Sequence, residues 1–197
     1  MSHTRILIVP GRGNSEPEHW QSIAESAFPD TQRVQQENWN APSLDEWSRN
    51  IDSAVRALGH RPLVVAHSFG CLATAYAQIT LGTPVGAVLF VAPADPERFN
   101  IPRETFAETL EQPGILIASN NDPWLSLGSA RLLAADWGIK LFNLGAAGHI
   151  NVASGYGHWP LVETIIKLIR DDLDREGTTD MCAPHRRTPV RQECRVH

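Results

Sequence analysis

Short apolar runs alternate with segments of helical periodicity along most of the chain. Most runs are rich in aliphatic and β-branched residues and end at glycine, proline or a polar residue, as strands buried on both faces do. The runs predict strands over 5–10, 31–36, 62–66, 85–91, 114–119 and 140–144. Between them, apolar positions three and four residues apart predict helices over 16–28, 44–58, 69–79, 125–137 and 159–173.

This alternation predicts a three-layer α/β/α sandwich, in which helices cover both faces of a mostly parallel sheet. The proline- and charge-rich segment 93–113 interrupts the pattern and is expected to be a loop with one short helix. Beyond residue 175 the periodicity stops, and Thr, Pro, Arg and Cys become frequent. We therefore expect one folded domain over 1–175 and a disordered tail over 176–197. Functional loops should lie at the carboxyl ends of the strands.

Composition narrows the classes of function. Of the 197 residues, 42% are hydrophobic and 20% are charged, with a formal net charge of −5. No nucleic-acid partner is expected, because the folded part lacks the basic stretch that neutralises phosphates. No apolar run approaches the ~20 residues that span a bilayer, and no signal-peptide pattern opens the sequence. The three cysteines form no disulfide framework, which predicts a cytoplasmic protein.

A serine follows the third predicted strand in the sequence Ala66-His67-Ser68-Phe69-Gly70. Small residues two before and two after Ser68, between a strand and a helix, are typical of a nucleophile elbow, whose sharp turn exposes the serine hydroxyl. The usual pattern has glycine where this chain has Ala66. In such a turn the backbone N–H of Phe69 points at the oxyanion that forms during acyl transfer. The alternative is a serine that only caps the helix.

An acid and a histidine follow this serine in the order that nucleophile-elbow enzymes require. Asp122 comes after the strand over 114–119, and His149 comes after the strand over 140–144. Both residues therefore share one edge of the sheet with Ser68, and this set of side chains points to nucleophilic catalysis. Asp122 precedes a proline and can instead be a turn former, and His149 can be a surface histidine. Weaker substitutes for these two roles are Asp95, Asp136 and His158.

With these residues in place, the chain resembles the YdeN/retinoblastoma-binding-protein-9 family of small serine hydrolases. The resemblance covers roughly residues 4–174 and is most specific in 148–151 (Gly-His-Ile-Asn) and 154–160 (Ser-Gly-Tyr-Gly-His-Trp-Pro). It also rests on Ile8-Val9-Pro10-Gly11, His19-Trp20, Ala66-His67-Ser68-Phe69-Gly70 and Ser119-Asn120-Asn121-Asp122-Pro123. It implies a minimal α/β-hydrolase fold without a large lid. It also makes Ser68, Asp122 and His149 the catalytic triad.

Fold geometry supplies the rest of the expected site. A second oxyanion donor should come from the backbone after the first strand, at Gly11 or Arg12, beside the N–H of Phe69. The Arg12 guanidinium at the mouth of the site can favour an anionic substrate, and a solvated loop arginine is the equal alternative. The chemistry calls for no metal ion and no organic cofactor.

Four residues near these loops are candidates for a substrate pocket, namely His19, Trp20, His67 and Trp124. Packing is the alternative for the two tryptophans. The short connections leave little room for a large lid, so we expect a carboxylesterase-like enzyme. Its partner should be a small or surface-exposed ester, thioester or amide, and no protein partner is indicated.

Other interpretations stay open beside this one. A binding protein on a hydrolase scaffold, with little or no turnover, is a different class of function. Cys71, one helical turn after Ser68, is expected to be a small buried core residue. In the tail, the segments 182–185 and 194–197 repeat a Cys-x-x-His unit whose ligand types suit zinc. Because no core surrounds these units, we favour a disordered tail over a zinc site.

Overall fold

The computed structural model describes residues 3–59 and 61–181. Six parallel strands form one sheet in the order β2-β1-β3-β4-β5-β6. The strands are β1 (Ile6–Val9), β2 (Thr31–Arg33), β3 (Leu63–His67), β4 (Ala87–Val91), β5 (Gly114–Ala118) and β6 (Lys140–Asn143). The predicted mostly parallel sheet is confirmed, and each strand is hydrogen-bonded to its neighbours from β2 at one edge to β6 at the other.

Four helices connect strands and a fifth follows β6: α1 (Trp20–Ala27), α2 (Leu44–Ala57), α3 (Phe69–Leu81), α4 (Leu127–Asp136) and α5 (Pro160–Met181). Helix α2 begins after Ser43, whose side chain accepts a hydrogen bond from the backbone N–H of Glu46 and caps the helix. Short 3₁₀ segments lie at Pro96–Phe99, Arg103–Phe106 and Val152–Ser154.

The two faces of the sheet pack against different helices. Along β1, Leu7 and Val9 belong to a buried cluster that includes residues of α2, α3 and α4. Ile6 and Ile8 belong to a second cluster with residues of α1 and α5. Successive side chains of a strand point to opposite faces, so a strand covered on both faces is apolar at every position. This confirms the three-layer α/β/α sandwich.

The strand order positions the candidate site. After β1 the chain moves to β2 on one side, and then crosses back to β3 on the other side of β1. The direction of winding therefore reverses between β1 and β3. In open parallel sheets a crevice forms at this point, beyond the carboxyl ends of the strands. The loop after β1 and the turn after β3 face each other there.

Several element boundaries differ from the sequence expectation. Helix α1 begins at Trp20 instead of near residue 16, because the His19 side chain accepts a hydrogen bond from the Gln21 N–H and caps the helix. Strand β2 is three residues long. The segment 93–113 holds two short 3₁₀ helices where one helix was expected.

Helix α5, the last element that the structure describes, is longer than expected. Helix α5 continues to Met181, past residue 176, where the tail was expected to begin. An ion pair between Asp172 and Arg175, one turn apart, lies where the end of the helix was predicted. Residues 182–197, with the two Cys-x-x-His units, lie outside the described residues. The preference for a disordered tail over a zinc site there therefore stays a prediction. Within 3–59 and 61–181, no helix is both long and apolar enough to cross a membrane.

Candidate active site

Ser68 lies in a sharp turn between β3 and α3. Its backbone has φ 54° and ψ −125°, a conformation that costs a non-glycine residue about 1–3 kcal/mol. Its side chain makes no capping hydrogen bond to the helix that follows. The interpretation of Ser68 as a simple helix cap is therefore wrong, and the strained turn holds its hydroxyl at the edge of the sheet.

The residues around Ser68 explain how this turn is tolerated. A Cβ atom on Gly70 would lie 2.5 Å from the carbonyl oxygens of both Val9 and Pro10, so only glycine fits there. Ala66, where glycine is usual, is fully buried and pairs in register with Val9. Its methyl group therefore lies within the core instead of clashing with the turn. The departure from the usual pattern is accommodated by packing.

Ser68, His149 and Asp122 form a continuous line of hydrogen bonds. The Ser68 Oγ lies 3.0 Å from His149 Nε2. On the other side of the ring, His149 Nδ1 lies 2.9 Å and 3.0 Å from the two carboxylate oxygens of Asp122. The side chains of His149 and Asp122 are only 8% and 3% exposed. A buried carboxylate at Nδ1 holds the proton there, which leaves Nε2 free to accept the serine proton.

The three substitute residues lie elsewhere. Asp95 caps the first 3₁₀ segment by accepting a hydrogen bond from the N–H of Glu97. Asp136 pairs with Arg103. His158 is exposed and lies 3.6 Å from Glu163. Among the described residues, none of these three side chains is hydrogen-bonded to Ser68 or His149.

The backbone around His149 is held by groups from three other parts of the chain. The backbone N–H of His149 donates to Ser154 Oγ at 3.1 Å. The His67 ring donates through Nε2 to the His149 carbonyl oxygen at 3.0 Å. The Trp20 indole donates through Nε1 to the Ile150 carbonyl oxygen at 2.8 Å. Ile150 has φ 50°, which is strained for a β-branched residue, so these bonds stabilise an unfavourable backbone.

The loop that carries Asp122 is tied to the loop that carries His149. Asn121 Oδ1 accepts a hydrogen bond from the N–H of Gly148 at 2.8 Å. Ser119 Oγ accepts one from the N–H of Ala147 at 3.0 Å and donates one to Asn121 Oδ1 at 2.8 Å. The distance between acid and histidine is thereby set by neighbouring side chains as well as by their own hydrogen bond.

Sequence reasoning assigned no role to most of these supporting groups. We call the set the histidine support, defined as Trp20, His67, Ser119, Asn121 and Ser154. Ser119, Asn121 and Ser154 lie in the blocks that carry the family resemblance, and that position was the available signal. Gly148 shows why residues 148–151 and 154–160 depend on each other, because a Cβ at Gly148 would collide with the Ser154 side chain.

Two further histidines lie behind His149 and are buried. The ring centroids of His19 and His67 are 5.0 Å apart, and those of His67 and His149 are 4.9 Å apart. Burial, with smaller contributions from Arg33 and His149, lowers the pKa of His19 to about 4. Burial, together with the neighbouring His149 and His19, lowers the pKa of His67 well below its usual range. Both residues are therefore neutral at pH 7.

The expected oxyanion donors surround Ser68. Phe69 is the first residue of α3, so its N–H has no acceptor within the helix. Among the described residues, the N–H groups of Gly11 and Arg12 donate no hydrogen bond to the backbone. A Cβ on Gly11 would lie 2.6 Å from the Ser68 Cβ and 3.2 Å from its Oγ. Glycine is therefore required at position 11 for the β1 loop to approach Ser68 this closely.

The four pocket candidates separate into two groups. Trp20 is 1% exposed, and His19 and His67 are also buried, so packing describes these three side chains in this structure. Trp124 is 44% exposed, and its ring lies 6.1 Å from that of His149. The Arg98 guanidinium lies over Trp124, 5.2 Å from the ring centroid. We call Arg12, Arg98 and Trp124 the open rim of the site.

Cys71 is a buried residue of α3. Its Sγ lies 3.6 Å from the Val91 carbonyl oxygen, and burial raises the pKa of its thiol. Its position within the core cluster agrees with the packing role expected from the sequence. A thiol that stays protonated in the core is not a nucleophile.

Known proteins that resemble the chain include several hydrolases. Residues 6–168 match the family model described as Serine hydrolase. The structure of a YdeN-like hydrolase from Pectobacterium atrosepticum is 34% identical in sequence and has a TM-score of 0.82, covering 87% of this chain and 92% of that protein. The ydeN gene product of B. subtilis is 19% identical with a TM-score of 0.71, covering 84% of this chain and 98% of that protein. No curated protein gives a significant match.

A more distant structure shares the fold alone. Est1E from Butyrivibrio proteoclasticus is 14% identical and has a TM-score of 0.67, covering 89% of this chain and 90% of that protein. The family match spans most of the described residues, and it includes the turn at Ser68 and the loops of Asp122 and His149. The chain therefore belongs to the YdeN family of small serine hydrolases, with the α/β-hydrolase fold.

Proposed function

We propose that this hydrolase cleaves small carboxylic esters, or related thioesters and amides, through an acyl-enzyme on Ser68. The observation that carries the proposal is the hydrogen-bonded line from Ser68 through His149 to Asp122 on a strained turn. Ser68 is the nucleophile, His149 the general base and Asp122 the group that orients and stabilises the imidazolium.

The first half-reaction forms the acyl-enzyme. Ser68 Oγ attacks the ester carbonyl carbon while His149 Nε2 takes the hydroxyl proton. The carbonyl oxygen becomes an oxyanion, held by the N–H of Phe69 and by that of Gly11 or Arg12. When the C–O bond to the alcohol breaks, His149 returns its proton to the leaving oxygen. Asp122 stays ionised throughout and stabilises the charged ring.

The second half-reaction releases the acid. A water molecule loses a proton to His149 and attacks the acyl carbon, and the same N–H groups hold the new oxyanion. Collapse breaks the bond to Ser68 Oγ, which regains the proton from His149. The cycle is balanced with water as the only co-reactant.

Location is part of this proposal. We expect the enzyme in the cytoplasm, where a buried and free thiol such as that of Cys71 stays reduced. The expected partner is the small-molecule substrate.

The experiment uses a fluorophosphonate probe together with p-nitrophenyl esters of increasing chain length. Wild-type protein should be labelled and should release p-nitrophenolate, whereas Ser68→Ala should do neither. Ser53→Ala removes an exposed hydroxyl on α2 and is the matched control, which should keep both signals. Labelling that survives in Ser68→Ala would overturn the assignment of the nucleophile. Labelling without ester turnover in wild type would favour a binding protein on a hydrolase scaffold.

A further inference from the structure

The rim beside Ser68 carries two arginines on opposite sides of the nucleophile. Ser68 follows β3, whose neighbours in the sheet are β1 and β4. Arg12 lies in the loop after β1, and Arg98 lies in the first 3₁₀ segment after β4. The strand order therefore brings both residues to the same edge of the sheet, one on each side of Ser68.

Both arginines are close to groups of the proposed catalytic line. Arg12 follows Gly11, which is in contact with Ser68. Arg98 lies over Trp124, whose ring is 6.1 Å from that of His149. Phe99, the residue after Arg98, packs on Phe69 with 4.6 Å between ring centroids. Arg12 and Arg98 are thus each next in sequence to a residue that packs against the turn of Ser68.

Each guanidinium is anchored by a neutral group. Arg12 donates through Nε to the Asn40 carbonyl oxygen at 3.0 Å. Arg98 donates through Nη2 to the Pro123 carbonyl oxygen at 2.8 Å and lies on the Trp124 face. A carbonyl or a ring orients a guanidinium without neutralising its charge, and other N–H donors of each group remain available.

Neither arginine forms an ion pair with a described carboxylate, and the control residue Arg131 of α4 forms none either, whereas Arg33, Arg56, Arg103 and Arg175 each form one. Three acids lie near the site or near Arg98, and none of them forms an ion pair with either arginine. Asp122 pairs with His149, and Asp95 caps its own 3₁₀ segment. Glu97 is exposed and forms no ion pair with Arg98 in the described part of the chain. The rim therefore keeps two positive charges in a protein whose net charge is −5.

We infer that the substrate is an anionic ester, with a carboxylate or phosphate near the scissile bond that Arg12 and Arg98 recognise. This inference rests on the proposed esterase function and names its substrate class. Guanidinium groups match planar carboxylates and phosphates in both geometry and charge. A positive mouth also concentrates anions at the site, an effect that salt weakens.

The experiment compares esters of matched shape and different charge. On the acyl side, mono-p-nitrophenyl adipate is compared with p-nitrophenyl hexanoate. On the alcohol side, 4-acetoxybenzoate is compared with its methyl ester, and each rate is corrected for spontaneous hydrolysis. In wild type, kcat/KM should favour the anionic member of at least one pair. The favoured pair shows which side of the ester carries the charge, and preference for the neutral member in both pairs overturns the inference.

Variants then test which residues produce the preference. Arg98→Ala and Arg12→Ala should each lower the anionic-to-neutral ratio of kcat/KM by about threefold to tenfold, as expected for one exposed charge pair. Arg98→Lys and Arg12→Lys should keep most of the ratio. Arg131→Ala, an exposed residue of α4, is the matched control and should leave the ratio unchanged.

The outcomes separate this inference from simpler explanations. If Arg98 only holds the loop of Pro123, its removal lowers both rates equally, the ratio stays constant and the inference fails. An increase in salt from 50 to 500 mM should lower the rate of the anionic ester and spare that of the neutral ester. A wild-type protein that hydrolyses neither member of either pair contradicts the proposed function itself, not the substrate class alone.

Discussion

The back and the front of this site are built in different ways. At the back, the histidine support holds the His149 segment through hydrogen bonds from side chains that are buried or partly buried, apart from the exposed Asn121. At the front, the open rim presents exposed side chains anchored to backbone carbonyls or to one another. The same edge of the sheet thus carries a tightly bonded region and a solvated one.

This difference assigns separate tasks to the two regions. Proton transfer between Ser68 and His149 needs atoms held to within a fraction of an ångström, which a network of buried hydrogen bonds provides. Contact with a substrate needs free donors and exposed surface, which such a network would consume. Changes at the back should therefore lower kcat for every substrate, whereas changes at the rim should alter the preference among substrates.

The largest effect is expected at the carboxylate that orients His149. Asp122→Asn should lower kcat about a thousandfold to ten-thousandfold on p-nitrophenyl butyrate, because an amide favours the wrong tautomer of the ring. Asp172→Asn, at an exposed surface pair, is the control and should keep full activity. Measurement of kcat and of the unfolding midpoint separates lost chemistry from lost folding. More than a tenth of wild-type activity in Asp122→Asn would contradict the role of this residue.

A smaller loss is expected from the buried part of the histidine support. His67→Phe keeps a ring of similar size and removes the N–H that donates to the His149 carbonyl. An unmet buried acceptor costs about 1–3 kcal/mol, so kcat should fall about tenfold to a hundredfold while KM changes little. His67→Gln restores a donor and should recover part of kcat. Equal kcat in the Phe and Gln variants would show that the hydrogen bond does not position His149.

The link between the two loops should have a more modest effect. Asn121→Ala removes the acceptor for the Gly148 N–H at an exposed position. Steady-state kinetics should give about a threefold to tenfold lower kcat, as for one hydrogen bond of ordinary strength. Asn121→Asp keeps an oxygen acceptor and should behave like wild type. If Asn121→Ala instead changed KM alone, the residue would belong with the rim.

At the rim, Trp124 should affect long substrates only. Trp124→Ala removes the exposed ring beside His149 and should raise KM about threefold to tenfold for p-nitrophenyl octanoate, through lost apolar contact. The acetate ester is too short to need this surface and should be unaffected. A uniform loss of kcat across both esters would place Trp124 with the back of the site.

Because of the buried histidines at the back of the site, we expect the free energy of unfolding to depend on pH. The pKa of His19 is lowered from 6.5 to about 4, so protons bind the unfolded chain more tightly than the folded protein. The contribution of His19 to the free energy of unfolding is therefore fully present above pH 6.5. It is lost as the pH falls from 6.5 towards 4, at no more than ~1.4 kcal/mol per pH unit. Beyond burial, Arg33 and His149 lower the pKa of His19, and His149 and His19 lower the pKa of His67.

Urea unfolding at pH 7, 6 and 5 measures this slope. His19→Asn keeps a side-chain acceptor suited to cap α1 and removes the titrating ring, so its stability should change less over this range. His158→Asn, at an exposed histidine, is the control and should keep the wild-type slope. An unchanged slope in His19→Asn would show that this ring does not titrate between the two states.

Much of this arrangement could be predicted because it depends on local patterns. Apolar runs predicted the central strands β1, β3, β4 and β5, since a strand covered on both faces is apolar along its length. The edge strands β2 and β6 are partly exposed, and their positions in the alternating order of strands and helices supported their prediction. The turn chemistry of residues 66–70 identified Ser68. The order of the strands along the chain then limited which polar residues can share its edge of the sheet, and Asp122 and His149 are the two that the structure brings to Ser68.

Other features depend on contacts that no local pattern contains. Helix α1 was expected to begin near residue 16, and its observed start depends on the His19 side chain, which also packs on His67 from a distant strand. Trp20 was a pocket candidate, yet it bonds to a carbonyl 130 positions along the chain. Such pairs follow from the fold as a whole.

The parallel sheet, the position of the strained turn and the order of serine, acid and histidine could all be inferred from the amino-acid pattern. These features follow from the spacing of apolar residues, from steric limits on the backbone and from the order of elements along the chain, all of which can be read from the sequence. In contrast, the aromatic side chains that support His149 can be told from those exposed at the rim only in the folded protein. The reason is that hydrogen-bond partners and burial depend on distances between segments that are remote along the chain.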